Sequence, residues 1–429
     1  MTAPTEGQRG KSNAFENVTC PFCGILCDDL EVTPDENGLK VSKNACARAI
    51  AGFERPVGPT NPLVEGKPVA LADAIQAAAK IVRAARLPLY GGLATDVEGM
   101  RAVMSIADRS GGVVDHALSE GQYRNFRVLQ TSGWFMSTLT ETRNRADLIV
   151  IVGTDVNKIH PRFFERIVTP PESMFPQLAP KRTVVFLGEG LDQSAATGPR
   201  IGEVVTLACP PHLVGEVISA VRAAVNGRPI GSETVAGVPA AAIKDLAERC
   251  LKASYGVMVW APPGLAFANA DLTVHAVSEL VKDLNKTTRF AGLSLGGNEG
   301  AVTAGAVCGW QSGYPLRVSF ASGKPDYDQH RYAIQRMLAA GEGDALVWIA
   351  SISNDILPPA TSIPTVALGT PDLKLAMPPA VFIPVGTPGL DQDGRLVRCD
   401  NVVSLPLRNL HRATLPRVAD VLAAIEAAL

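Results

Sequence analysis

The sequence predicts an α/β protein in which doubly wound parallel sheets follow a small N-terminal lobe carrying four cysteines. Three observations lead there. From Ala70 onward, short apolar runs ending in Gly, Pro or Asp alternate with amphipathic stretches, the rhythm of buried parallel strands and covering helices. Four of the eight cysteines, Cys20, Cys23, Cys27 and Cys46, crowd into the first fifty residues, whereas Cys209, Cys250, Cys308 and Cys399 are scattered. At 429 residues, 46% of them hydrophobic, the chain is long enough for two or three domains with large cores.

Taken in order, "DDLEVTPDENGLKVS" reads as two short strands, around Leu30 to Thr33 and Leu39 to Ser42, joined by a turn at Asn37-Gly38. The hairpin brings Cys46 back toward the first three cysteines. "RPVGPTNPLVEGKP", with four prolines and two glycines, reads as a linker. "ALADAIQAAAKIVRAA" is an amphipathic helix with Asp73 near its start and Arg83 and Arg86 near its end, matching the macrodipole. A strand at "LPLYGGL", a helix from Val97 to Ser110 and a strand at "GGVVDHA" follow.

Further strands are expected at "NRADLIVIVGTD", "KRTVVFLGEG", "GEVVTLAC", "ASYGVMVWAPPG", "TTRFAGLSLGGN", "GDALVWIAS", "IPTVALGT" and "AVFIPVG". Helices are expected from Pro211 to Asn226, Val238 to Ala253 and Ala270 to Asn285, with a last one at "RVADVLAAIEAAL". The expected division is 1–60 for the cysteine lobe, 61–135 plus 325–429 for one α/β domain, and 136–324 for the other.

A balance of 40 basic and 42 acidic residues, net charge -2, argues against nucleic-acid binding. The first eighteen residues lack an apolar signal region and no run of 18 apolar residues occurs later. The reading is a cytoplasmic protein with a short mobile N-terminus and no membrane contact.

The spacing Cys20-x2-Cys23-x3-Cys27-x18-Cys46 supplies four thiolates, enough for tetrahedral zinc or the irons of a [4Fe-4S] cluster; spacing alone leaves both open. Without a signal peptide, the clustering favours metal over disulfides. The four scattered cysteines read as buried small hydrophobes. "NRADLIVIVGTDVNKIHPRFFER" reads as a strand, a polar loop and a helix, with Asp155, Asn157, Lys158, His160 and Arg162 on the loop, a place where an anionic ligand can sit. "SLGGNEGAVTAGAVCGWQSGYP" is a Gly-rich stretch that fits no phosphate-loop pattern. Asp391, Asp393, Arg395 and Arg398 read as a turn with exposed ions. No HxH, HExxH or GxSxG occurs, and His116 and His275 read as structural.

The cysteine pattern ahead of α/β lobes resembles the molybdopterin oxidoreductase superfamily. More closely, "TCPFCGILCDDLEV", "NACARA" and "TETRNRADLIVIVGTDVNKIHPRFFER" resemble the B-subunit family of formylmethanofuran dehydrogenase, which includes the B subunit of the formyltransferase/hydrolase complex. The resemblance implies a fold of the molybdopterin oxidoreductase type. In the dehydrogenase it implies a [4Fe-4S] cluster on the four cysteines and a pterin-bound molybdenum or tungsten ligated by a thiolate or selenolate just before the "TL" that precedes "NRAD". Here those positions are Phe135, Met136 and Ser137, and no cysteine lies between Cys46 and Cys209. An alkanol is a poor ligand beside a thiolate. The expectation is therefore a chain without molybdopterin, with redox-silent structural zinc on Cys20, Cys23, Cys27 and Cys46.

By the same resemblance, the chain is a non-redox scaffold of a complex that moves formyl from formyl-tetrahydromethanopterin to methylofuran and releases formate. Chemistry would reside on amidohydrolase-like and formyltransferase partners, with a C subunit alongside. This chain could hold the polyglutamate tail of methylofuran, for which Lys158, His160, Arg162 and Arg166 are the candidates, with Arg124, Arg143 and Arg145 next. The alternative is an active molybdenum or tungsten enzyme that converts formate and uses Ser137 as ligand. A generic thiamine- or nucleotide-binding protein is a third reading, which the cysteine knuckle disfavours.

Overall fold

The computed structural model describes residues 14–36, 38–178 and 181–429; the expectations for the extreme N-terminus and for Asn37 lie outside them. Three bodies form, each around its own sheet. In the first, strands Phe15–Val18, Leu30–Asp35 and Gly38–Lys43 pair antiparallel, and helix Ala47–Phe53 closes the lobe. Among the described residues this sheet shares no strand with the others.

The second body is a nine-stranded sheet whose five middle strands run parallel. In spatial order these are Val113–Val114, Pro88–Ala94, Ala345–Ala350, Thr365–Gly369 and Val381–Pro384. Antiparallel pieces border it on both sides. One of them, Leu63–Val64 with Lys67–Pro68, comes from the proline-rich stretch read as a linker. A two-residue strand next to a proline suits a sheet edge, where a missing N–H is harmless.

In the third body, five strands run parallel in the order Ile201–Leu207, Arg182–Leu187, Leu148–Val152, Gly256–Trp260 and Phe290–Ser294. Four of the five are largely buried; Ile201–Leu207 is an edge strand and mostly exposed, contrary to the buried run expected there.

Alternate side chains of the strands serve different cores. Leu148, Val150 and Val152 pack beneath helices Val214–Val225, Ala240–Lys252 and Ala270–Leu284, while Ile149 and Ile151 face inward. Helices Leu71–Ala84, Val97–Ser110, Ala301–Ser312 and Val418–Ala427 cover one face of the nine-stranded sheet. The remaining faces of both large sheets share a single core with Phe22, Leu26 and Phe53 of the cysteine lobe.

Two helices depart from the sequence reading. Ser119–Ser132 was not anticipated, and Ala301–Ser312 lies inside the stretch read as a Gly-rich loop. The helix expected after "HPR" is instead a short Val156–Ile159 helix followed by a π-helical turn, Phe164–Val168.

Candidate functional site at the junction of the three bodies

The loop Leu295–Gly300, which leaves the end of strand Phe290–Ser294, is where the bodies meet. Gly24, beside Cys23, donates its N–H to Asn298 Oδ1 at 3.1 Å and accepts from the Cys399 N–H at 2.8 Å. A Cβ on Gly24 would lie 1.9 Å from the Gly296 carbonyl oxygen, so only glycine permits this approach. On the other side, His116 Nε2 lies 3.0 Å from the Glu299 carbonyl, and His116 Nδ1 accepts from the Leu118 N–H at 2.9 Å. That pair of contacts fixes a neutral ring with its proton on Nε2. Burial lowers its pKa to about 4. Glu299 is 5% exposed, has a φ of 55° and is pushed up to about 7 by burial.

Cys20, Cys23, Cys27 and Cys46 line one cavity of about 10 Å³, with Arg48 and Arg162 also on its wall. The donor set is pure sulfur, which suits a four-cysteine zinc site or an iron–sulfur cluster. As they stand, no three His, Cys, Asp or Glu side chains converge as a metal-ligand group among the described residues. Burial, followed by the neighbouring cysteines, raises the Cys20 thiol well above its ordinary value. Burial together with Cys23 raises Cys27 to about 12. Thiols this reluctant to ionise become ligands only if a cation replaces their protons. Cys399, read as an isolated buried cysteine, packs against the knuckle beside Gly24.

Asp28 and Asp29, directly after Cys27, bind the lobe to the polar loop. Arg162 takes Asp29 with two hydrogen bonds, and Arg166 reaches both Asp29, at 2.5 Å, and Asp28, at 2.6 Å. The π-helical turn carries Arg166 to the same side as Arg162. Arg162 and Arg166, named above for an acidic ligand, are thus engaged within the chain. His160 is wholly buried, and neither ring nitrogen has a partner among the described residues. Lys158 is exposed. Arg124 donates to the Pro262 carbonyl at 2.9 Å. Arg145 pairs with Glu141 at 3.0 Å. Arg143 and Arg166 meet Arg398, a residue read only as part of a turn, around one small void. In that same turn Asp391 is not exposed: it is buried and held by Arg412 at 2.9 and 2.7 Å.

Ser137 is 3% exposed. Its N–H donates to the Gly292 carbonyl at 2.7 Å, and its hydroxyl lies 3.1 Å from both Thr142 Oγ1 and the Tyr255 hydroxyl. The oxygen that would have to ligate a metal is committed to a hydroxyl network.

These features define an α/β protein of two parallel-sheet bodies joined to a small four-cysteine lobe. No family model matches the chain. It is 28% identical over 419 residues to the B subunit of the tungsten-containing formylmethanofuran dehydrogenase 2 of Methanococcus maripaludis, covering 93% of this chain and 94% of that one. To the protein of the same name from Methanocaldococcus jannaschii it is 30% identical over 405 residues, 90% and 91% of the two chains. To the B subunit of the formyltransferase/hydrolase complex Fhc of Methylorubrum extorquens it is 30% identical over 337 residues, 78% and 87%. The chain belongs to the B-subunit family of formylmethanofuran dehydrogenase. Its fold also matches, with a TM-score of 0.73 and 27% identity over 85% of this chain and 98% of the other, a chain in the crystal structure of the M. extorquens complex FhcABCD with methylofuran. Among the described residues no helix is long and apolar enough to cross a membrane.

Proposed function

We propose that the chain is the non-redox B member of a formyltransferase/hydrolase complex. It would stand beside amidohydrolase-like, formyltransferase and C subunits that pass formyl from formyl-tetrahydromethanopterin to methylofuran and release formate. The observation that carries this reading is Ser137: it occupies the place where the resemblance implies a thiolate, and its hydroxyl is already bonded to Thr142 and Tyr255. Without that ligand the place offers no thiolate for a pterin-bound metal. The similarity to the M. extorquens chain and to its complex supports the same assembly.

In this role Cys20, Cys23, Cys27 and Cys46 hold zinc, which fastens the lobe and passes no electrons. The acidic tail of the carrier meets cations of this chain. Lys158, which is exposed, and Arg124 and Arg143, which donate to the Pro262 and Glu172 carbonyls, are the main contacts. Arg145 flanks them, and His160, Arg162 and Arg166 hold the loop from within.

The test is purification of the tagged chain from its own cells. The expected result is co-elution with formyltransferase and amidohydrolase-like subunits, about one zinc per chain, and neither molybdenum nor tungsten. A brown preparation with bound pterin and dye-linked formate oxidation would establish the second reading, an active dehydrogenase component, which the tungsten-containing relatives favour.

A further inference from the structure

A cavity of about 430 Å³ opens beside the nine-stranded sheet, between the start of helix Ser119–Ser132, helix Ile334–Ala339 and the loop that follows strand Ala345–Ala350. Leu118, Ile334, Trp348 and Ile356 give it an apolar wall. The indole N–H of Trp348 is spent on the Ile356 carbonyl, at 3.1 Å, so the ring has no polar group left to satisfy there. A space of this size takes a small molecule, and apolar walls with a few polar groups are how such sites are built.

Three carboxylates, Asp115, Glu120 and Asp355, and two guanidiniums, Arg317 and Arg336, stand on the same wall, with His116 and His330. Each guanidinium already has an acid. Arg317 donates to Glu120 at 2.9 Å and to Ser119 Oγ at 3.1 Å, and Arg336 donates to Glu342 at 2.8 Å. Asp115 and Asp355, the second of them exposed, are left in excess. Asp115 is 6% exposed; its Oδ2 accepts from the Ile334 N–H at 3.1 Å, while Oδ1 has no hydrogen-bond partner among the described residues and lies 3.5 Å from Arg317 Nε. Burial raises its pKa to about 6 against the pull of the Arg317 charge, so it is ionised at pH 8. A buried carboxylate oxygen left without a donor on a cavity wall calls for one from a ligand.

We propose that this cavity binds a small organic amine, whose ammonium group donates to Asp115 Oδ1 and lies toward Asp355 while an aromatic stem rests against Trp348 and Ile356. An ammonium carries three donors and no acceptor, which matches carboxylate oxygens, and a flat stem matches an indole wall. The excess of acids disfavours phosphates and polycarboxylates, since like charges in a partly dry site repel. The site is therefore separate from the contacts assigned above to the acidic tail of the carrier, and it stands whether or not that assignment holds.

Titration calorimetry of the full chain with phenethylamine, at pH 8 and fixed ionic strength, tests it. Saturable one-to-one binding is expected, weakened about tenfold or more by Asp115→Asn and unaffected by Asp73→Asn, which alters an exposed acid on helix Leu71–Ala84. Ala333→Phe, which fills the cavity and leaves every carboxylate in place, should abolish binding, so the test survives even if Asp115→Asn fails to fold. Phenethyl alcohol, which lacks the charge, and hydrocinnamate, which reverses it, should not bind. Absence of saturable heat with phenethylamine, equal binding of either analogue, or unchanged affinity in a folded Asp115→Asn or Ala333→Phe chain would overturn the site.

Discussion

Arg162 grips Asp29 with two parallel hydrogen bonds, Nη1 to Oδ1 at 2.7 Å and Nη2 to Oδ2 at 2.8 Å. The pair ties the polar loop of the five-stranded body to the residue two positions after Cys27. The arginine side chain is 6% exposed and the aspartate 36%, so solvent screens one partner more than the other.

Asp29→Asn should lower stability by about 1–2 kcal/mol, less than for a fully buried pair because the acid is partly solvated. Burial raises the Asp29 pKa, but the hydrogen bonds from Arg162 and the charges of Arg166 and Arg162 outweigh it and hold the carboxyl below its usual range. The contribution is thus complete above about pH 4 and is lost as the pH falls through the lowered value. Urea midpoints at pH 7 and pH 3 measure both effects; a variant as stable as the parent at pH 7 would rule out the latch.

The buried histidines set a second pH dependence. Burial holds His116 at about 4, and burial with the nearby Arg48 charge holds His160 at about 3. The unfolded chain takes up protons at these histidines near pH 6.5 while the folded chain does not, so their contribution to stability should fall as pH drops from about 6.5 to 4, opposed by Glu299, whose raised value acts in the other direction. His116→Asn should flatten that decline, whatever it does to stability at pH 8. An unchanged slope in urea midpoints between pH 7.5 and 4.5 would show that His116 is not a source of it.

Gly24 is the tightest backbone approach of the cysteine knuckle. Gly24→Ala places a methyl against the Gly296 carbonyl and the Cys399 side chain, and should cost about 1–3 kcal/mol. The loss should appear as a lower thermal midpoint and faster proteolysis within residues 14–60. Full stability in the alanine variant would mean that the knuckle does not seat on the loop Leu295–Gly300.

Ser137→Ala deprives the Thr142 and Tyr255 hydroxyls of a buried partner and should cost about 1–2 kcal/mol with no change in metal content. If the variant instead lost bound metal, the hydroxyl would be a ligand and the non-redox reading would fail.

The strands were legible because a parallel strand buried on both faces is a continuous apolar run, as at Leu148–Val152 and Ala345–Ala350. Helix Ser119–Ser132 escaped notice because it buries mainly Tyr123, Asn125 and Val128, too sparse a stripe amid polar residues to show a period. Gly305 and Gly309 hid the helix Ala301–Ser312, where packing against helix Val97–Ser110 outweighs poor propensity. The clustering of four cysteines was evident from spacing alone. The partners of Arg162 and Arg166 were not, since Asp29 lies 133 positions from Arg162 and Asp28 138 from Arg166. The one local hint was the pair of aspartates directly after Cys27.

Among the described residues the antiparallel sheet of the cysteine lobe exchanges no ladder hydrogen bonds with either large sheet. Besides the apolar core that Phe22, Leu26 and Phe53 share with both large sheets, what holds it is a joint of side chains and isolated amides: Asp29 with Arg162, Gly24 with Asn298, and Cys399 with Gly24. Such a joint can open without unzipping any strand. A substitution at this joint, such as Asp29→Asn, therefore loosens the seat of the lobe while the ladders of both large sheets stay intact.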